Sequence, residues 1–569
     1  MLLSFLLLAD GWFQWGRTAQ HESAAPVVGQ TLVKIESEVV LDPFADLEKA
    51  ATGGFLITHY EAPVIDSNDL FLVIKSGSFT GLQTRESQIW NVRNMRRAGS
   101  DLQTRWTYTS DWKPVPYGGS ATWEPVYHVA VSADAVWAAG AGGTIDKISR
   151  ADGTRIARFN PFGTTIDPSI FVAGPPSIDG AGNVYYNAVQ LDLSQPWNND
   201  SRGAWLVKIA ASGTVSKATW STLVPNAPSA DSQCTTLFAS SQLPWPPSPN
   251  AVAPASRCGP QRPGINVAPA IGADGTIYTV SRSHLISRWG FLVAVNSNLT
   301  PKWSASLRNR LATGCNVLIP PNGTPGGCRA GATTGVDPAD NQIGSGQVSD
   351  SGTSSPVVLP DGRVLYGALT SYNYRQGHLM LFNADGTFVT SYQFGWDITP
   401  AISRHGATYS IIIKENRYSA GSYCGVAAFC PGNRTLATPN DPEQYFITSL
   451  DPNLNVEWKY RNTQTQSCQR LPDGSLECSD DHPNGFEWCV NAVAIDARGV
   501  VYANAEDGHL YALNPNGTLR ERIFMRLALG AAYTPLSIGP DGRIYSQNDG
   551  HLFVISGAQQ IPRRRAAGQ

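Results

Sequence analysis

Short runs of alternating apolar and polar residues, cut by Asp-Gly and Asn-Gly pairs, recur along most of the chain. The clearest lies between Asn491 and Arg522, NAVAIDARGVVYANAEDGHLYALNPNGTLRER. Period-two alternation predicts three β-strands there, Ala492 to Ile495, Val500 to Asn504 and His509 to Leu513, with a fourth starting at Thr518. The turns between them, at 496–499, 506–508 and 514–517, carry Gly beside Asp or Asn, residues that tolerate a positive φ. A single four-stranded sheet cannot bury both of its faces, so it requires neighbours of the same kind.

Those neighbours are present and in phase. Ile495 marks the end of the first strand of the unit, and equivalent markers fall at Ile65, Val131, Ile178, Ile271, Val358, Ile402 and Ile538. The shorter spacings between markers are about 45 residues, a period that with four strands per unit specifies a β-propeller. The chain is therefore read as all-β, one propeller of eight four-stranded blades, with seven as the alternative because the first two copies are degenerate. The last copy stops after its third strand at Ile555. A ring left open there would expose a strand edge, so a strand from 32–40 or 54–60 is expected to supply the missing fourth strand. The domain is placed at 28–556, between a leader or flexible N-terminus over 1–27 and a basic tail over 557–569.

The extra length beyond the repeat is not evenly placed. First-to-second turns (179–182, 273–275, 360–362) and third-to-fourth turns (150–153, 384–386, 451–453) are tight. Insertions fall after the second strand, at 188–204, 369–377 and 415–444, or between blades, at 107–123, 221–265, 304–353 and 461–490. Because strands alternate direction, all these long connections emerge on one face. Function is expected there.

Composition adds a compartment. Charged residues make up 15% of the chain and the net charge is −3, which excludes a nucleic-acid-binding profile. The apolar run that follows Met1 is too short to span a bilayer and resembles the apolar part of a secretory signal. All nine cysteines lie in or beside the insertions, without metal-type spacing. Neighbour pairing gives Cys234–Cys258, Cys315–Cys328, Cys424–Cys430 and Cys468–Cys478, with Cys489 left over. Each bridge would contribute ~2–4 kcal/mol by restricting the unfolded loop. An oxidising, extracytoplasmic location follows, periplasmic or secreted, with a monomer expected.

Units such as PAIGADGTIY and AVAIDARGVVYANAEDGHLYALNPNGTL resemble the repeats of quinoprotein-alcohol-dehydrogenase-like propellers, the PQQ repeats. The resemblance covers about residues 60–556. It implies either a periplasmic dehydrogenase using pyrroloquinoline quinone (PQQ) and calcium, or a cofactor-free relative that binds proteins. Those dehydrogenases carry two adjacent cysteines beside the quinone, and no Cys-Cys pair occurs here. Their Asp-x-x-Thr-Gly-x-x-x-Trp motifs are also degraded: Asn514 to Glu521 has no Trp, while Asn296 to Trp303 and Asp451 to Trp458 lack the Thr-Gly.

Three groups of residues are candidates for chemistry. Gly-His-Leu recurs at His378, His509 and His551, and its recurrence marks a fold element at the start of the third strand. Asp480, Asp481, His482 and Glu487 form the densest polar cluster and could bind a divalent cation, although a solvated loop between disulfides carries the same residues. Asp337 and Asp340 raise the same question more weakly. The third group is positional: Glu61, His128, Asn266, Ser354, Thr399, Asn491 and Thr534 precede the innermost strands and ring the channel mouth on the looped side, where a ligand would sit. The leading reading is a propeller that binds a small molecule or protein partner on its looped face without a cofactor. A PQQ- and Ca2+-dependent dehydrogenase of diverged site residues is the alternative, and a hydrolase or lyase on the same scaffold is third.

Overall fold

A computed structural model describes residues 10–557 except 100, 120–122, 240–247, 316–317, 320–323, 326–332, 338, 371–376, 418–442 and 532. The repeat becomes eight antiparallel sheets in a ring. Blades 1 to 7 occupy 64–109, 130–159, 170–219, 261–306, 357–392, 401–461 and 494–524. Blade 8 combines 537–556 with the N-terminal strand Lys34–Val40. That strand runs antiparallel to His551–Ser556, with Lys34 opposite Ser556 and Val40 opposite His551. Of the two expected closing strands, 32–40 is the one that closes the ring. Residues 54–60 form no strand, and Thr58 makes only an isolated bridge with Glu124.

The turns explain the register. In blade 7, Asp496 Oδ1 accepts the backbone N–H groups of Arg498 at 2.8 Å and Val500 at 2.9 Å, and Gly499 takes φ 78°. Asp179, Asp274, Asp361 and Asp541 accept equivalent bonds in their own blades. A short acceptor placed just ahead of the second strand thus fixes each first hairpin.

Adjacent blades are joined by an aromatic ring laid on a glycine. Gly153, Gly386 and Gly517 sit in third-to-fourth turns, and a Cβ on them would lie 2.6, 2.7 and 2.6 Å from Trp106, Trp303 and Trp458 of the preceding blade. Phe159 packs on Gly213 more loosely, 3.5 Å from where a Cβ would lie. Trp106 and Trp303 also donate their indole N–H to the turn, to Arg150 O at 3.0 Å and Ala384 O at 2.8 Å. The degraded motifs therefore retain the contact that the tryptophan supplies, even where the Thr-Gly is lost.

The axis holds the largest departure from expectation. Residues 10–27, read from the sequence as part of a leader or flexible end, run once around the channel on the tight-turn side. Trp12 exchanges two backbone hydrogen bonds with Ile65, at 2.7 and 2.8 Å. The N–H groups of Val131, Ile271, Val358, Ile402 and Ile495 donate to the carbonyls of Phe13, Ala19, Gln20, Glu22 and Ser23, and Ile178 is held by the side chain of Gln14. Seven of the eight markers are thus paired by this one segment. Trp15, fully buried, donates its indole N–H to Thr399 Oγ1 at 3.1 Å and meets His128 edge-on. The apolar run at 2–9 that resembles a signal lies outside the described residues.

The insertions carry cross-links. Cys234–Cys258 closes a two-stranded ribbon, and Cys468–Cys478 joins directly opposed residues of the hairpin Gln466–Arg470 and Leu476–Asp480. Cys315 is disulfide-bonded, while Cys328, Cys424 and Cys430 lie outside the described residues. Cys489 is a buried thiol. No helix among the described residues is long and apolar enough to cross a membrane.

Two outcomes test this architecture. Trp15→Ala should lower stability by about 3–5 kcal/mol, read as a shift of the urea midpoint, because it empties the centre of the plug. A maleimide should leave the native protein unlabelled and, after unfolding without reductant, should label Cys489 but none of Cys234, Cys258, Cys315, Cys468 and Cys478.

Candidate functional site

With one end of the channel plugged, the other end opens into a cavity of about 1090 Å3 on the looped face. Its walls are aromatic: Phe55, Tyr117, Trp123, Phe394, Trp396 and Tyr533. Its polar lining includes Arg282, Asp350, Asp397, Lys414, Asn416, Glu487 and Glu506. Concave, mostly apolar space with a few convergent polar groups is the usual form of a small-molecule site.

Strand alternation sets which groups face it. The second strand of blade 6, Thr408–Arg417, carries the apolar run Ile411 to Ile413 and ends in Lys414, Glu415, Asn416 and Arg417. Lys414 and Asn416 line the cavity, whereas Glu415 points to the opposite side of the sheet, where Lys459, Tyr392 and Thr448 bond it at 2.7–2.8 Å. Asp397 sits between blades 5 and 6 at φ 53°, a left-handed backbone that aspartate tolerates better than most residues. Its Oδ1 accepts from Thr353 N at 2.8 Å, Thr353 Oγ1 at 3.1 Å and Asn491 Nδ2 at 3.3 Å, leaving Oδ2 on the cavity side without a hydrogen-bond partner among the described residues. A buried carboxylate with one oxygen anchored and the other open is placed to accept a hydrogen bond or a proton from a bound molecule.

Charges around the cavity are distributed unevenly. Asp350 is clamped by Arg262, with contacts of 3.0 and 2.5 Å, and by Arg282 at 2.9 Å. Burial alone would raise the Asp350 carboxyl, but the two guanidiniums hold it down at about 2. Burial and the neighbouring Glu487 push the Glu506 carboxyl well up. Lys414 is brought down to about 7 by burial, against the pull of Asp397 and Glu487. Its Nζ lies 2.8 Å from the centre of the Tyr533 ring, and the Tyr533 hydroxyl donates to Glu487 Oε2 at 2.9 Å.

The positional ring from the sequence lies beneath this cavity. Glu61, His128, Asn266, Ser354, Thr399, Asn491 and Thr534 are all buried, and none of them lines it. Their bonds are internal. Asn266 Oδ1 accepts from Val126 N at 2.8 Å, Ser354 Oγ from Ile398 N at 3.2 Å, and Thr534 Oγ1 donates to Gln547 O at 2.9 Å. Glu61 takes the N–H of Val73, with burial raising its carboxyl, and burial lowers His128 to about 3, which keeps it neutral. Asn491 reaches the site through its hold on Asp397, and Asn266 through the Asp350 carbonyl at 3.5 Å. The ring residues lie on the right axis but one layer too low. The signals that point to the site itself are the charges ending an apolar strand at Lys414 and the Asp397 two residues before a ring position.

The acidic cluster separates. Asp480 is exposed on the hairpin, and Asp481 bonds Ser467 Oγ at 2.7 Å and His482 Nδ1 at 2.6 Å. Glu487 instead faces the cavity with Tyr533. Among the described residues no group of three or more His, Cys, Asp or Glu side chains converges as a metal site. The expected donor set is corrected accordingly: the intervening chain carries its members apart. Asp337 and Asp340 are both bound to Arg288 Nη2, at 2.8 and 2.7 Å, a buried ion cluster that ties the 304–353 insertion to blade 4. His378, His509 and His551 each begin a third strand, as the repeat predicts.

No family model and no curated protein match the chain. Solved structures do. A europium-containing methanol dehydrogenase aligns with TM-score 0.50 at 9% identity, over 95% of this chain and 90% of that one. A quinohemoprotein alcohol dehydrogenase from Comamonas testosteroni aligns with TM-score 0.49 at 10% identity, over 98% and 82%. A third, from Pseudomonas putida HK5, aligns with TM-score 0.49 at 11% identity, again over 98% and 82%. At such identities the likeness shows the propeller fold and nothing of the chemistry.

Lys414 gives a pH signature. Unfolded lysine titrates near 10.4, the folded side chain about 7, so between these values the unfolded chain binds more protons. The folded protein therefore bears its full penalty below pH 7 and sheds it as pH rises toward about 10.4. Asp397, Glu487, Cys489 and Tyr533 are the titratable groups facing the amine. Lys414→Met should melt above the wild type at pH 6, with the margin shrinking toward pH 10.

Proposed function

We propose that the protein binds a small organic ligand in the cavity on its looped face, in an extracytoplasmic compartment, and that the fold serves as a binding scaffold. The observation that supports this most is the buried pair Asp397 and Lys414 set among aromatic walls at the open end of a channel plugged at the other. Such a site is costly to build. Asp397 requires a left-handed backbone and Lys414 is desolvated, and both costs persist only where the surrounding structure holds them in place. The cross-linked insertions at the rim reduce the entropy that ordering a ligand-binding face would otherwise cost.

The second reading, a quinone-dependent dehydrogenase, draws on the planar aromatic walls, which suit a flat ring system. The donor set does not suit calcium, which takes six to eight oxygens. Asp397 and Glu487 both face the Lys414 side chain, burial works against a charged Glu506, and no Cys-Cys pair exists in the chain to stand beside a quinone. The residues lining the cavity therefore do not fit a calcium-bound quinone.

Incubation with PQQ, with and without CaCl2, followed by dye reduction with primary alcohols, separates the two. The binding reading expects no calcium-dependent turnover. Sustained dye reduction that is lost in Asp397→Asn would replace it with dehydrogenation.

A further inference from the structure

Among the described residues that line the cavity, Lys414 Nζ is the buried polar atom without a hydrogen-bond partner. Lysine has three N–H donors, and burying them unused costs free energy unless the group sheds its charge or serves a ligand. Two chemistries could use it. As an ammonium it would anchor an anion, but the open Oδ2 of Asp397 and the carboxylate of Glu487 repel an anion approaching the same wall. As a neutral amine it is a nucleophile, and both carboxylates then become assets as proton acceptors. Burial works against the ammonium form, which leaves a large share of Lys414 as the amine near neutral pH.

We propose that Lys414 condenses with the carbonyl group of an aldehyde or ketone bound in the cavity, forming an imine; this rests on the ligand-binding role of the cavity proposed above. The Nζ lone pair attacks the carbonyl carbon, and the C=O π pair moves to oxygen, which takes up a proton. The resulting carbinolamine takes a second proton on that oxygen from one of the two carboxyl groups and loses it as water, while the remaining proton on nitrogen passes to the other, leaving C=N. One water is released and no oxidant or reductant is consumed. Glu487 and Asp397 are the proton carriers on the two sides of the amine. Tyr533 covers Nζ with its ring while Glu487 holds its hydroxyl, so the ring must turn aside before a carbonyl carbon can approach. The aromatic walls of Trp123 and Trp396 favour a planar conjugated carbonyl compound.

Reductive trapping tests the proposal. The purified protein is mixed with 2-hydroxybenzaldehyde and sodium cyanoborohydride at pH 7, and adducts are mapped by peptide mass spectrometry. Lys414 should be modified roughly tenfold faster than exposed lysines such as Lys34. Tyr533→Ala should speed trapping further, and Lys414→Met should abolish the adduct while circular dichroism shows the variant folded. A Lys414 left unmodified in both the wild type and Tyr533→Ala, under conditions that modify Lys34, overturns the imine. The unreactive analogue 2-hydroxybenzyl alcohol reports cavity occupancy separately, by quenching tryptophan emission. Quenching without an adduct refutes Lys414 as nucleophile and leaves the cavity reading intact, whereas the absence of both overturns both.

Discussion

The structure depends on pairing the backbone edge that faces the channel axis. The innermost strands are short, two residues in blades 2, 5, 7 and 8, and each presents N–H and C=O groups toward a space too narrow for another sheet. Water could solvate them, but a single extended chain does so with less loss of packing. Residues 10–27 provide that chain, turning once around the axis and pairing seven blades in sequence before leaving to complete the eighth. Ring closure and axial sealing are therefore one device. The direction of access to the site follows from it, because a channel closed on the tight-turn side can receive a ligand only from the looped side.

Between blades, the ring is held by aromatic rings on glycines. Trp106, Trp303 and Trp458 each occupy the space that a side chain on the next turn would need, while Phe159 lies at ordinary contact distance from Gly213. The contact requires only a flat side chain and a residue without a Cβ. The same contact is therefore open to sequences that share little else around it.

The fold was legible because it is written locally. Asp-Gly and Asn-Gly turns, two-residue alternation and a constant period specify strands, register and repeat, and the marker residues chosen by alignment are the ones the axial segment binds. The site was less legible because it is assembled from loops and strand ends brought together only by ring closure. Asp397 and Glu487 lie in connections and Lys414 in a strand, and nothing in their spacing shows that they face one cavity. The acidic run 480–482 misled for the converse reason: neighbours in sequence that the hairpin directs to solvent. Residues 10–27 misled because a short stretch ahead of a repeat carries no period of its own, and its partners are scattered over seven blades.

The threading of the axial segment also governs the order of assembly. Residues 10–40 are synthesised ahead of every blade, yet their partners are spread around the whole ring, and the last of them, His551 to Ser556, is made some five hundred residues later. No early blade can complete its inner edge against a finished ring, and the N-terminal chain cannot settle until the final hairpin exists. Contacts of such sequence separation are slow to form, and loop-closure entropy opposes them until the end. The chain therefore remains an open arc through nearly all of its synthesis, with unpaired edges at both ends, and commits to a closed molecule in one late step. A protein built this way is compatible with crossing a membrane before it folds, and has most need of protection from aggregation during the same interval.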